Sequence, residues 1–128
     1  MPVALIVLVF VSLVPYVLAG LGGYVKIKQL GRLDNNHPRT QANELVGSAA
    51  RVIAAQSNAW EALAFYTAVI FAVSASGVAW SELAVPSLVF GATRLIHPIL
   101  YIANIATARS LIVVLGVSSC IYMLSLAF

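Results

Sequence analysis

Charge is the scarcest commodity in this sequence. Only 9% of its 128 residues are Asp, Glu, Lys or Arg, where a soluble domain carries about a quarter. That shortage, together with a 62% share of hydrophobic residues, excludes a soluble globular protein. Cysteine is nearly missing as well. Cys120 stands alone, so neither an intrachain disulfide nor a cysteine-based metal site is open to the chain. His37 and His97, the two histidines, are too few and too far apart to suggest a metal centre. No Lys or Arg precedes the first apolar run, which argues against a cleaved signal peptide and leaves residues 3 to 24 as a first span with the N-terminus outside. Internal repeats and low-complexity segments are missing too.

What is present fits a membrane protein. The length allows a single domain of four spans of about 20 residues each. The one long hydrophilic stretch is "KIKQLGRLDNNHPRTQANE". Lys26, Lys28, Arg32 and Arg39 crowd into it, and the positive-inside rule reads such a cluster as a cytoplasmic loop and not as a nucleic-acid surface. Within it, "DNNHP" is turn chemistry, with Pro38 suited to a first helical turn.

The expected architecture is an all-α integral membrane four-helix bundle with spans at about 3–24, 40–74, 82–104 and 109–127. The first span contains Pro15, a kink position, and Gly20, Gly22 and Gly23, which permit close helix contact. The second, about 50 Å long at 1.5 Å per residue, exceeds a bilayer core of about 30 Å. "SASG" ends it, and Ser81 with Glu82 reads as the N-cap and first turn of the third. Four spans put both termini outside, periplasmic or lumenal, and both polar turns toward the cytosol. The outer connections carry Glu82 and no cation.

Two spans carry polar stripes. At 100° per residue, Arg51, Asn58 and Glu61 share an arc of about 80°, continued by Phe65, and Arg94, His97, Tyr101 and Asn104 share another of the same width. Lipid tolerates neither stripe, so they are expected to face each other or a shared cavity that opens to the cytosol. Glu61 and Arg94 lie at equal depth, about 18 to 20 Å from the outer turn, and are expected to form an ion pair. Such a group of residues is either glue for the bundle or a site, and intramembrane ionisable groups are functional candidates by default. Arg109 and Ser110 stand where the fourth helix is expected to begin. Arg109 reads either as a snorkelling anchor or as a cation that, beside free helix N–H groups, favours an anion such as a thiolate. Tyr101 also suits an interfacial aromatic, and His97 before Pro98 a local backbone role.

"DNNHPR", "RVIAAQSNAWEALAFY" with its Arg-x6-Asn-x2-Glu, "ATRLIHPILYI" and "ARS" occur in the order in which the MAPEG family carries similar segments. The sequence resembles this family of membrane-associated proteins of eicosanoid and glutathione metabolism over nearly its whole length. The resemblance implies a homotrimer of four-helix bundles binding glutathione between subunits near the cytosolic face. Asn58 and Glu61 would hold the glutathione backbone, and Arg94, His97 and Tyr101 would line the same pocket. Arg51 would stand on the same wall, and Lys26 would reach in from the neighbouring subunit. Arg109 with Ser110 would stabilise the thiolate. Where eicosanoid-metabolising members have further basic residues before the Asn, this chain has Ala54, Gln56 and Ser57, and Val113 replaces a tyrosine of several members.

The implied function is a glutathione-dependent transferase or peroxidase, with glutathione as co-substrate and a small lipophilic electrophile or hydroperoxide as partner. A small transporter is the rival from a second class, although the first span lacks the carboxylate on which four-span exporters rely. A catalytically silent membrane scaffold is the third.

Overall fold

The structure, a computed structural model, describes residues 1–128. Five helices follow one another: α1 (Val3–Leu30), α2 (Pro38–Ala42), α3 (Gly47–Ala75), α4 (Ala84–Ile102) and α5 (Ala106–Ser125). All but α2 are long and apolar enough to cross a membrane. They alternate in direction, so both termini lie at one end of the bundle and the polar turns 31–46 and 103–105 at the other. Helix α3 packs against α1, α4 and α5, while α4 packs against α1, α3 and α5.

The bundle surface is apolar. Val17 is 71% exposed, Phe71 74%, Val85 71% and Leu111 65%. In water such a coat would be a liability, whereas hydrocarbon is its natural solvent. The chain is an integral membrane protein.

Helix boundaries depart from the sequence expectations in instructive ways. The first span does not stop at residue 24. Lys26, Lys28 and Gln29 are good helix formers, and α1 continues through them to Gly31, which stops it with a left-handed φ of 72° and an N–H bonded to Ile27 O at 2.9 Å. The expected 40–74 helix is broken in two. Gly47, at φ 62°, lets the chain turn between the single turn of α2 and the start of α3. Instead of projecting as one rod, the N-terminal part folds back on the bundle. Two side chains of α1 strap it there, and Gln41 of α2 ties the turn to itself. Lys26 Nζ donates to Pro38 O at 2.8 Å. The Gln29 carboxamide accepts from Val46 N at 2.9 Å and donates to Val46 O at 3.3 Å. Gln41, 1% exposed, accepts from Asp34 N and donates to Arg32 O, both at 2.9 Å. The expected "DNNHP" turn is there as well, with Asp34 Oδ1 accepting from the N–H groups of Asn36 and His37.

Ser81 is not a cap. The cap of α4 is Leu83, with no side-chain bond to the helix, and Ser81 contributes only its carbonyl to the preceding turn. At the other end Asn104 leaves the polar stripe. It adopts φ 61°, its N–H meets Tyr101 O, and the N–H of Ile105 reaches Leu100 O. Asn tolerates that left-handed terminator position.

The core is divided unequally. Toward the termini, Val7, Val11, Tyr66, Val69, Ile70, Val73, Phe90 and Met123 form one cluster with their neighbours. The Tyr66 and Phe90 rings stack at 4.4 Å and 7°, and the Tyr66 hydroxyl donates to Ala4 O at 3.1 Å. Toward the polar turns only Leu18, Ala55 and Ala59 cluster. That half holds the polar residues instead. Gly22, Ala49 and Ala55 are buried inside the single chain, whereas Gly20 and Gly23 face open space.

Candidate functional site

Asn58 and Glu61 on α3, Phe90 and Arg94 on α4, and Val113 and Val117 on α5 line one cleft of about 220 Å³, with Ala62 and Phe65 completing it. The two polar stripes do meet, as their spacing required. The expected Glu61–Arg94 ion pair does not form: the ion pairs of the chain are Arg32–Glu44 at 3.2 Å and His37–Asp34 at 3.7 Å, both in the polar turn. The reason lies in what holds Arg94. Its guanidinium packs over the Phe90 ring at 5.3 Å, its Nε donates to Thr93 Oγ1 at 3.2 Å, and Gly116 of α5 leaves the space its Nη2 occupies. Arg94 is only 7% exposed, while Glu61 sits exposed at the rim. Equal depth brought both to one cleft without bringing them into contact.

An uncompensated cation in a buried setting is costly unless something answers it. Here hydrogen bonding to a hydroxyl and a ring face answer it in part, and the cleft side is left for an anion.

The remaining expected site residues divide into two sets. His97 and Tyr101 continue the stripe below Arg94, their rings meeting edge-on at 5.6 Å, and the Arg109 guanidinium lies over the Tyr101 ring at 4.3 Å. Arg94, His97, Tyr101 and Arg109 thus follow one another toward the polar-turn end. Helix α5 begins at Ala106, earlier than expected, and the Arg109 N–H is already bonded to Ile105 O at 3.0 Å. The open helix N–H groups lie one turn before Arg109, and the anion-favouring end of the helix acts beside it and not at it. Ser110 is exposed, and its hydroxyl donates to Ala106 O at 3.1 Å.

Arg51 and Lys26 stand apart from the cleft. Arg51 Nε donates to Ile102 O at 2.9 Å, where it satisfies an open carbonyl at the C-terminus of α4 and complements that end of the helix dipole. Lys26 lines a separate polar pocket of about 330 Å³ with Arg39, Gln56, Ser57 and Trp60, on the opposite side of α3. Sequence reasoning missed Thr93 and Gly116. Thr93 looks like one more apolar-tolerant residue beside Arg94, and the role of Gly116 appears only once α4 and α5 are in register.

With this geometry established, comparison with known proteins gives one match. The MAPEG family model covers residues 2–128. None of the curated proteins and none of the solved structures matches the chain. The chain belongs to the MAPEG family.

Proposed function

We propose that this MAPEG-family chain is a glutathione-dependent membrane transferase or peroxidase for small lipophilic electrophiles or hydroperoxides. The observation that carries the reading is Arg94: a buried cation with no carboxylate partner, facing a cleft that also presents a carboxamide from Asn58 and a carboxylate from Glu61. Donor, acceptor and fixed positive charge in one cleft suit a zwitterionic peptide, with its carboxylate toward Arg94 and its ammonium toward Glu61. His97 and Tyr101 extend the wall toward Arg109.

Glutathione supplies the nucleophile as its thiolate. In conjugation the sulfur forms a bond to the electrophilic carbon as the leaving group takes the electron pair. In peroxide reduction the sulfur attacks the terminal oxygen, the O–O bond breaks, and the alkoxide leaves with the electron pair and is protonated to the alcohol. The resulting sulfenic acid condenses with a second glutathione to disulfide and water. The protein contributes position and charge and no covalent residue. Arg109 favours the thiolate, and Ser110 adds a hydroxyl whose one hydrogen, donated to Ala106 O in the free chain, turns to the thiolate when it is bound. Arg51 sets the α3–α4 spacing from the wall.

A homotrimer completes this site. Lys26, Gln56 and Ser57 cannot serve the cleft of their own chain because they face the other side of α3, and a neighbouring copy would bring that pocket against the cleft. In this arrangement the polar turn and the site lie toward the cytosol, with both termini outside.

Calorimetric titration of the detergent-purified protein with glutathione tests the reading. Saturable binding is the expected result, and its absence would leave the scaffold as the better description. Arg109 is tested in the same preparation by thiolate absorbance. A free thiol ionises near pH 8.5, and a nearby cation lowers that by about one to several units. Wild-type complex is expected to absorb as thiolate near neutral pH, Arg109→Ala to lose the signal and Arg109→Lys to keep part of it, since the charge survives and the planar fork does not. A folded Arg109→Ala that ionises glutathione like wild type would make Arg109 an anchor.

A further inference from the structure

Behind the cleft lies a second, much smaller space. Val11 and Val14 of α1, Ala55, Asn58 and Ala59 of α3, and Arg94, His97 and Pro98 of α4 enclose a chamber of about 10 Å³, which is the size needed for one water molecule. Its walls are apolar except for three groups. Asn58 Oδ1 is buried and no protein donor reaches it. Arg94 and His97 are 7% and 3% exposed. An acceptor left without a donor in the interior costs roughly 1–3 kcal/mol, and buried waters are held by about three polar partners of this kind.

We propose that the chamber is the binding site of a single structural water that joins Asn58, Arg94 and His97. The chemistry of the three partners orients it. A guanidinium can only donate, so the water accepts from Arg94 and keeps both its hydrogens for acceptors. One goes to Asn58 Oδ1 and the other to the ring nitrogen that accepts in a neutral imidazole. The orientation has a consequence outside the chamber. Asn58 and Arg94 line both spaces. With its oxygen held from behind, Asn58 turns its Nδ2 hydrogens to the cleft, which then meets a ligand with donors from both residues. The water therefore fixes the polarity of the cleft wall, whatever ligand the cleft takes, and it does so independently of the glutathione reading.

The test uses the full chain in nanodiscs, at a resolution near 2 Å where ordered waters are seen. A density peak within hydrogen-bond distance of Asn58 Oδ1, Arg94 and His97 is expected. A chamber without a peak, with Asn58 turned to a protein partner, would overturn the proposal. A thermodynamic cycle reads the same point without density. Val11→Ile adds a methylene at the chamber wall and expels the water. In wild type it strands two acceptors, Asn58 Oδ1 and the His97 ring nitrogen, and should lower Tm, whereas in an Asn58→Leu background one acceptor fewer is stranded and the loss of Tm should be clearly smaller. A loss of the same size in both backgrounds would refute a water held by Asn58.

Discussion

The two ends of this bundle are built from opposite materials. The half near the termini is a packed apolar core, in which Tyr66 stacks on Phe90 and every buried polar group is tied to a neighbour, as the Tyr66 hydroxyl is to Ala4 O. The half near the polar turns holds a small apolar cluster, a cleft, a water-sized chamber and a row of cations and rings. A bundle in lipid gains little from burying apolar groups against one another, because hydrocarbon solvates them nearly as well. Close packing and hydrogen bonding are what remain. The terminal half uses them to hold the helices, which frees the other half to carry polar groups in geometries that do not stabilise the fold. Phe90 stands at the boundary, with one face on Tyr66 and the other under Arg94.

Removing that boundary residue is expected to have the largest effect. Phe90→Ala deletes the stacked partner of a fully buried Tyr66 and opens a cavity, for which soluble cores lose about 3–5 kcal/mol. The lower end of that range is expected here, since the transfer contribution shrinks in lipid. Reversible unfolding in mixed detergent measures it. If the loss is as small as for a change at the cleft rim, the two halves are not the distinct regions described above.

An intermediate effect is expected at Gly116. A Cβ there would lie 2.7 Å from Thr93 Oγ1 and 3.1 Å from Arg94 Nη2, and Thr93 is itself committed to Phe90 O at 2.6 Å. Overpacking of this kind costs about 1–3 kcal/mol. Gly116→Ala should push the Arg94 guanidinium directly from its place, and so weaken anion binding in the cleft by more than its cost to stability. Glutathione titration beside unfolding separates the two effects, and a variant that destabilises without altering affinity would show that Arg94 is not positioned from α5.

The same contrast explains what could be read from the sequence. Hydropathy alone gave four spanning helices, because membrane solvation acts on each helix separately. Period-3.6 spacing placed Asn58, Glu61 and Arg94 on facing stripes, and these line one cleft. Features set by tertiary register were not legible. The break at Gly47 depends on Lys26 and Gln29 reaching the polar turn from α1. The fate of Arg94 depends on a glycine in another helix. Counting residues from a turn gives depth but no azimuth beyond the stripe. Two charges at one depth therefore looked like partners when one is turned toward α5 and the other toward the rim.

The smallest effect is expected where the sequence suggested a large one. A buried ion pair between Glu61 and Arg94 would make removal of either partner cost about 3–5 kcal/mol. The structure has no such pair, and Glu61 is exposed at the edge of the cleft. Glu61→Gln keeps the length of the side chain and one acceptor, removes only the charge, and strands nothing, because Arg94 is held by Thr93 and the Phe90 face. Its effect on stability should fall within about 0.5 kcal/mol, the range of surface substitutions away from special features. Its effect on binding is a separate matter. If the carboxylate receives the ammonium of a bound peptide, the loss of one charge-assisted hydrogen bond should weaken affinity by about 1.5–3 kcal/mol, roughly ten- to a hundred-fold. Unfolding and glutathione titration on the same preparation read both quantities. A large loss of stability would restore the ion pair and with it the sequence-based geometry. Unchanged stability with weakened binding would place Glu61 where the cleft puts it, at the mouth of the site and outside the scaffold that carries it.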